Sequence, residues 1–352
     1  MALTGAMSAG ISGLKAHMDA LNVVGNNVAN VNTQGYKPGR VTFMESIYST
    51  QSAGSAGTAT VGGTNPRQTG YGVGIGTIDL DMSSRSLDST GRGMDCAIQG
   101  DGFFLVGDKT HDIDSMDALK GLTLTRVGNF EFRDGYLTDG QGNVVYGFIT
   151  RSNGDAPGTT PGDKPSTDLV PIRLPMKSTD PNSKGDAVYV GVDNQTGANV
   201  YPDNDPAATV DGFVDLENIS IDKNGKITGT NKDTGDPVVV GYIALGSVEN
   251  LNGVLHTEGP YYTAGDAAGD IRVGTPGNSV TGNLRNDKIT DGNNVVAPDS
   301  ALAEGSGATL MTGFLEASGT DLAAEFANMI IYQRGYQANT RIVTVTDTML
   351  EE

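Results

Sequence analysis

Two heptad patterns mark the ends of this chain. Between residues 3 and 37, Met7, Leu14, Leu21 and Val28 recur at every seventh position, with Ile11, Met18 and Gly25 interleaved at alternating steps of four and three. That is the seam of a helix built to lie along another helix. Gly5, Gly10, Gly13 and Gly25 each weaken such a helix by about 1 kcal/mol relative to alanine, so it needs a partner. Its end is heavily punctuated. Asn26, Asn27, Asn30, Asn32 and Gly35 tolerate left-handed backbone or bond their own main chain, and Pro38 disfavours helix at Lys37. A helix-exit turn into extended chain is predicted there. An ordinary amphipathic core helix with a polar cap would show the same period. At the other end, Leu315, Leu322, Met329, Tyr336, Val343 and Leu350 again stand seven apart. Phe326 sits at the four-residue offset, and Ile330 and Ile342 widen the stripe. A second long helix is predicted within residues 308–352.

Between the two lie period-two and β-branched runs bounded by Gly and Asp, such as VGIGTIDLDM (73–82), GFFLVGD (102–108) and NVVYGFIT (143–150). Asp134-Gly135 and Asn224-Gly225 supply hairpin turns. The predicted fold class is α+β, mainly β. Residues 1–37 and 308–352 form a paired-helix core domain, 71–150 and 213–307 an inner antiparallel β domain, and 151–212 an outer β domain or insertion. Residues 38–70 begin with PGRVTFMESIYST, which could pair or form a short amphipathic piece, and continue small and polar; they are predicted to be a linker or a segment that orders only against neighbours. An isolated helical hairpin does not hold itself together. Seam burial at about 1.5–3 kcal/mol per side chain does not offset backbone ordering of about 1–2 kcal/mol per residue. The terminal helices are therefore expected to order mainly against copies of themselves.

Composition narrows the function. The formal net charge is -19, which disfavours nucleic acid and anionic lipid, since both need clustered Lys and Arg. Cys96 is the lone cysteine, so neither an intrachain disulfide nor a Cys-based metal site is expected. Neither an 18-residue apolar run nor a basic-then-apolar leader is present, so membrane insertion and a cleaved signal peptide are not expected. His17, His111 and His256 are far apart and lack metal-ligand spacing. Gly72-Val73-Gly74-Ile75-Gly76 lacks the helix and lysine of a phosphate loop. The turns at Asp139–Asn143 and Asp222–Gly225 lack the twelve-residue spacing of an EF-hand. No enzyme activity, cofactor or metal is expected.

Five blocks then carry a resemblance: SGLKAHMDALNVVGNNVANVNTQGYK (12–37), STGRGMDCAIQGDGFFLV (89–106), TRVGNFEFRDGYLTDGQGNVVYGF (125–148), GYIALGSVENLNGV (241–254) and residues 313–352. In this order they resemble the flagellar hook and basal-body rod axial family, its hook branch most closely, with the distal rod the nearest alternative. The resemblance implies a subunit of a hollow helical tube, with paired terminal helices inside and β domains outside. A hook so built joins rod to filament and transmits torque. Implied partners are copies of itself, rod, hook cap and hook–filament junction proteins, and the flagellar export apparatus, which would deliver it to the cell exterior without a cleaved signal. The assembly seam would comprise Met7, Ile11, Leu14, Met18, Leu21, Val28, Leu315, Leu322, Phe326, Met329, Tyr336 and Val343. Members of that family run on past the position of Glu352, so a truncated or divergent C-terminus is expected. A reading of another class, a secreted β-rich binding module or adhesin, explains the acidity and the strands but not the two heptad helices.

Overall fold

The computed structural model describes residues 2–57, 60, 62–109, 119–149, 169–179, 181, 184–188, 191–192, 199–200, 210–278, 290–291, 294–295 and 307–351. The chain divides into two units, Met1–Asp81 with Ser318–Glu352, and Met82–Ala317.

The first unit holds both long helices, α1 (Ala2–Ala29) and α2 (Leu322–Glu351). Asp321 caps α2, its carboxylate accepting the Ala323 and Ala324 N–H groups, which are otherwise orphaned in the first turn. After α1 the chain forms a two-stranded antiparallel ribbon. Strand β1 (Gly39–Glu45) continues into β2 (Tyr48–Ser52), and these pair with β4 (Val73–Leu80) and β3 (Arg67–Gly70) respectively. Residues 38–70, expected to be a linker, are thus largely strand. The Val, Thr, Phe and Tyr of GRVTFME and YSTQS favour the pleat, and beyond them Ser55 and Thr64 form an isolated bridge. Strand β4, expected in the inner β domain, instead belongs with the helices. A period-two run shows that a strand exists, not which strand it pairs with.

The second unit is an antiparallel β structure. Its first part contains β5 (Leu87–Ser89), β6 (Cys96–Gln99), β7 (Phe103–Gly107), β8 (Thr123–Thr125), β9 (Glu131–Arg133), β10 (Tyr136–Thr138) and β11 (Val144–Ile149). Short strands β12 (Val170–Pro171), β13 (Met176–Ser178), β14 (Ala187–Val188), β15 (Gly191–Val192), β16 (Asn199–Val200) and β17 (Val210–Phe213) follow. Then come β18 (Leu216–Ile221), β19 (Lys226–Asn231), β20 (Pro237–Ile243), β21 (Leu245–Val248), β22 (Val254–His256), β23 (Tyr261–Ala264) and β24 (Ile271–Gly274). The last are β25 (Thr290–Asp291), β26 (Asn294–Val295), β27 (Thr309–Thr312) and β28 (Phe314–Glu316).

The main sheet runs in the order β18-β19-β20-β11-β7-β8-β23-β22. Its core mixes aliphatic and aromatic side chains, among them Phe104 and Phe130, which meet edge to face at 4.9 Å. Asp134 and Gly135 take φ of 50° and 78° in the β9–β10 turn, the geometry that Asp-Gly supplies cheaply. In the next turn the Asp139 carboxylate accepts N–H groups of Gln141, Gly142 and Asn143 and the Tyr261 hydroxyl. Those oxygens are committed to the turn, which accounts for the calcium-loop look of that stretch. Much of the predicted outer domain, and most of 279–306, lies outside the described residues. Within 151–212, β12 joins β11 of the main sheet, while β13, β14 and β17 make a separate three-stranded sheet.

The predicted C-terminal helix begins late. Residues 309–316 are strands: β27 pairs with β6 and β28 with β5. Leu315 is therefore a buried strand residue of the β unit and not part of the helical seam. Gly313, at φ 76°, turns β27 into β28, and Ser318-Gly319-Thr320 separates β28 from the helix. The seven-residue spacing from Leu315 to Leu322 is coincidental.

Candidate assembly interface

Helices α1 and α2 pack antiparallel through small residues. A Cβ on Gly10 would lie 3.2 Å from Val343 Cγ2, on Gly13 2.7 Å from Asn339 Nδ2, and on Gly335 2.6 Å from the His17 ring. The buried face of α1 is Gly10, Gly13, Ala16, Ala20, Val24 and Asn27. That face is displaced by one residue, about 100° of helix rotation, from the heptad seam read in the sequence. Backbones so close exclude large side chains, so the seam residues turn outward. Ile11 and Met18 are 39% and 48% exposed, and Met7, Leu14, Leu21 and Val28 are half-buried. On α2, Leu322, Phe326 and Tyr336 are exposed, while Met329 and Val343 are half-buried. Gly5 and Gly25 have nothing within 4 Å of a built Cβ, so of these four α1 glycines Gly10 and Gly13 serve the close approach within one chain.

The helix-exit turn is organised around Asn27, which is 1% exposed. Its Nδ2 donates to Gly39 O at 2.8 Å and to Glu325 Oε1 at 2.9 Å. Its Oδ1 accepts from Gly39 N and from the Tyr36 hydroxyl, both at 3.0 Å. One amide thus fills its full bonding capacity and ties the end of α1 to the start of α2 and of the ribbon. Asn26 Nδ2 donates to the Tyr36 hydroxyl, and Asn30 Nδ2 to Asn26 O. The Asn27 and Asn30 carbonyls accept from Thr320 and Ser318 hydroxyls. Gly35 turns the chain at φ 68°, and Asn32 is exposed. Burial pushes the Glu325 carboxyl and the Tyr36 phenol above their ordinary values. Sequence reading missed Glu325, which sits in an unremarkable first helical turn.

The distribution of exposed apolar side chains separates the two units. Of the described large hydrophobic residues that face solvent, all but Leu255 belong to the helical unit. They include Phe43, Met44, Ile47 and Tyr48 on the ribbon and Ile330, Ile331, Ile342, Val345, Met349 and Leu350 on α2. Among the described residues the buried apolar side chains lie almost entirely in the β unit, those of the helical unit being Ala16, Ala20, Val24 and Tyr36. Apolar surface of this extent on one unit marks an interaction site. Among the described residues no group of three or more His, Cys, Asp or Glu is disposed to hold a metal ion, and no helix is long and apolar enough to cross a membrane. His111 lies outside the described residues. Cys96 lies on β6 fully buried, and burial raises its thiol well above the usual range.

A closed β unit joined to a pair of helices that leave their large apolar residues uncovered defines a subunit of a larger assembly. The comparisons say which. Residues 7–37 match the family model for the flagellar basal-body rod protein, and 311–352 that for the flagellar basal-body rod FlgEFG protein C-terminal region. The chain is 31% identical to the flagellar basal-body rod protein FlgG of Bacillus subtilis, over 97% of this chain and 95% of that protein. It is 25% identical to the flagellar hook protein FlgE of Borreliella burgdorferi, over 97% of each. It is 27% identical to FlgE of Salmonella typhimurium, over 97% of this chain and 98% of that one. The chain belongs to the flagellar hook and basal-body rod axial family and is a structural subunit of the flagellar axis.

Proposed function

We propose that this chain is the hook subunit: copies pack helix face to helix face into a hollow, flexible tube that joins rod to filament and passes torque. The observation that carries this reading is that, among the described residues, every exposed large apolar side chain but Leu255 lies in the helical unit. Met7, Ile11, Leu14, Met18, Leu21 and Val28 on α1, with Leu322, Phe326, Met329, Tyr336 and Val343 on α2, form the seam, and neighbouring copies cover it. Full burial of such side chains is worth about 1.5–3 kcal/mol each, so a stripe already half-buried still gains on assembly. Asn26, Asn27, Asn30, Asn32 and Gly35 direct the chain out of the helical core. At its ends the tube meets rod, hook cap and hook–filament junction proteins. Its subunits leave the cell through the flagellar export apparatus.

A specific observation favours the alternative, the distal rod. The rod-named relative aligns nearly end to end over 351 positions, whereas the Salmonella and Borreliella hook proteins need 421 and 467 to cover the same share of this chain. The β insertion, with its separate three-stranded sheet, supports the hook. Immunogold labelling of purified hook–basal bodies carrying an epitope in the 53–66 segment decides. Label along the curved hook supports the proposal, and label confined to the straight rod overturns it.

A further inference from the structure

The β unit receives the chain from the helical unit at Met82 and returns it after Ala317. The first and last strands inside it, β5 and β28, pair with each other, Leu87 opposite Glu316 and Ser89 opposite Phe314. The Ala317 N–H donates to Ser86 O and the Thr90 N–H to Gly313 O, which extends the ladder at both ends. This ladder is separate from the main sheet. Two strands of three residues are marginal by themselves.

A buried ion pair reaches across from it. Arg126, just past β8 of the main sheet, and Glu316 on β28 are 3% and 1% exposed at their side chains. Arg126 Nε donates to Glu316 Oε2 at 3.0 Å and Nη2 to Oε1 at 3.4 Å. Arg126 Nη1 donates to Gly100 O and Gly102 O at 3.0 and 2.6 Å, in the β6–β7 turn. Glu316 Oε1 also accepts the Arg85 N–H at 3.3 Å. The carboxylate therefore holds the incoming segment, the outgoing strand and the main sheet at one point. The guanidinium fork fixes direction as well as distance. A buried pair of this kind gives little net stability but is costly to break, the character required of a fastening.

We infer that Arg126 and Glu316 are positioning residues that fasten the paired β5–β28 ribbon to the main sheet. Pull on the two connecting segments is then taken by the sheet instead of peeling the ribbon away. The mechanical consequence rests on the reading of the chain as a torque-transmitting subunit; the fastening itself does not.

Hydrogen exchange of the full chain, read by mass spectrometry, tests the fastening. E316Q keeps the shape and removes the charge, and the paired R126M/E316L variant replaces both charges with apolar groups of similar volume. In E316Q, amides of residues 86–90 and 314–317 exchange faster by about tenfold or more, while those of β7, β11 and β20 keep their rates. The paired variant, which also strips the donor from Gly100 O and Gly102 O and the acceptor from the Arg85 N–H, shows the same local acceleration. Unchanged exchange in 86–90 and 314–317 overturns the inference, as does an equal loss across β7, β11 and β20. Swimming in methylcellulose tests the consequence. Cells with E316Q assemble flagella but lose speed under viscous load more than wild type; equal speed, with the exchange change present, overturns the mechanical part alone. Failure of the wild-type chain to enter the flagellum would instead count against the functional reading.

Discussion

Replacing Asn27 by alanine removes four hydrogen bonds at one buried position. The two to Gly39 satisfy main-chain groups where α1 gives way to the ribbon, the third holds the Tyr36 hydroxyl, and the fourth is charge-assisted, to Glu325. A neutral bond is worth about 0.5–1.5 kcal/mol net and one to a charged group about 1.5–3. Tyr36 and Glu325 recover some water, and alanine adds a few tenths of a kcal/mol of helix propensity. The expected loss is about 3 kcal/mol from the helical unit. Far-UV circular dichroism at the helical band reads that unit selectively, since it holds both long helices. Urea titration of Asn27→Ala beside Asn32→Ala gives the answer, because Asn32 is exposed and its loss is expected within about 0.5 kcal/mol. A loss below about 1 kcal/mol at Asn27, or equal losses at the two positions, would refute the assignment of Asn27 as the organiser of the turn.

Three further outcomes follow from the same geometry. Gly25→Ala meets open space within the chain and should stabilise the single chain by about 0.5–1 kcal/mol in urea titration; a destabilised chain would contradict the open environment. Burial raises the Glu325 carboxyl above its ordinary 4.5, so the folded unit binds that proton more tightly than the unfolded chain. This stabilising contribution is full below pH 4.5 and lost as pH rises through the higher folded value; Glu325→Gln should flatten that part of the stability–pH curve, and an unaltered slope would exclude the carboxyl as its source. Cys96 should resist thiol reagents in the native chain and react at the unfolding transition, whereas rapid native labelling would contradict its burial.

The sequence made two long terminal helices and an antiparallel β region legible, because heptad period and Asp-Gly turns are local signals. It misplaced the packed face of α1. Periodicity finds the stripe of large apolar residues, but two helices in one chain can also meet through glycine and alanine, whose small size is the reason they approach. Leu315 is misread for a related reason: a seven-residue coincidence continues the helix backward across Gly313 and Gly319, where long-range antiparallel pairing with β5 and β6 prevails. Both arms of the ribbon carry strand-like runs, but their partnership is not legible, because a small-residue segment joins them and their pairing is a contact between residues far apart in sequence. Of the exit turn, the asparagines were visible as turn formers. Glu325 was not, since its significance comes from a partner nearly three hundred residues away.

In the proposed tube the outward stripe of α1 and α2 is covered by neighbouring copies. Met18→Cys and Phe326→Cys place thiols on that stripe at positions 48% and 50% exposed, over a native cysteine that is buried and silent. Maleimide labelling of each variant, first as free chain and then in purified flagellar structures, measures the covering directly. The account predicts prompt labelling of the free chain and strong protection after assembly. Equal labelling in both states would contradict it.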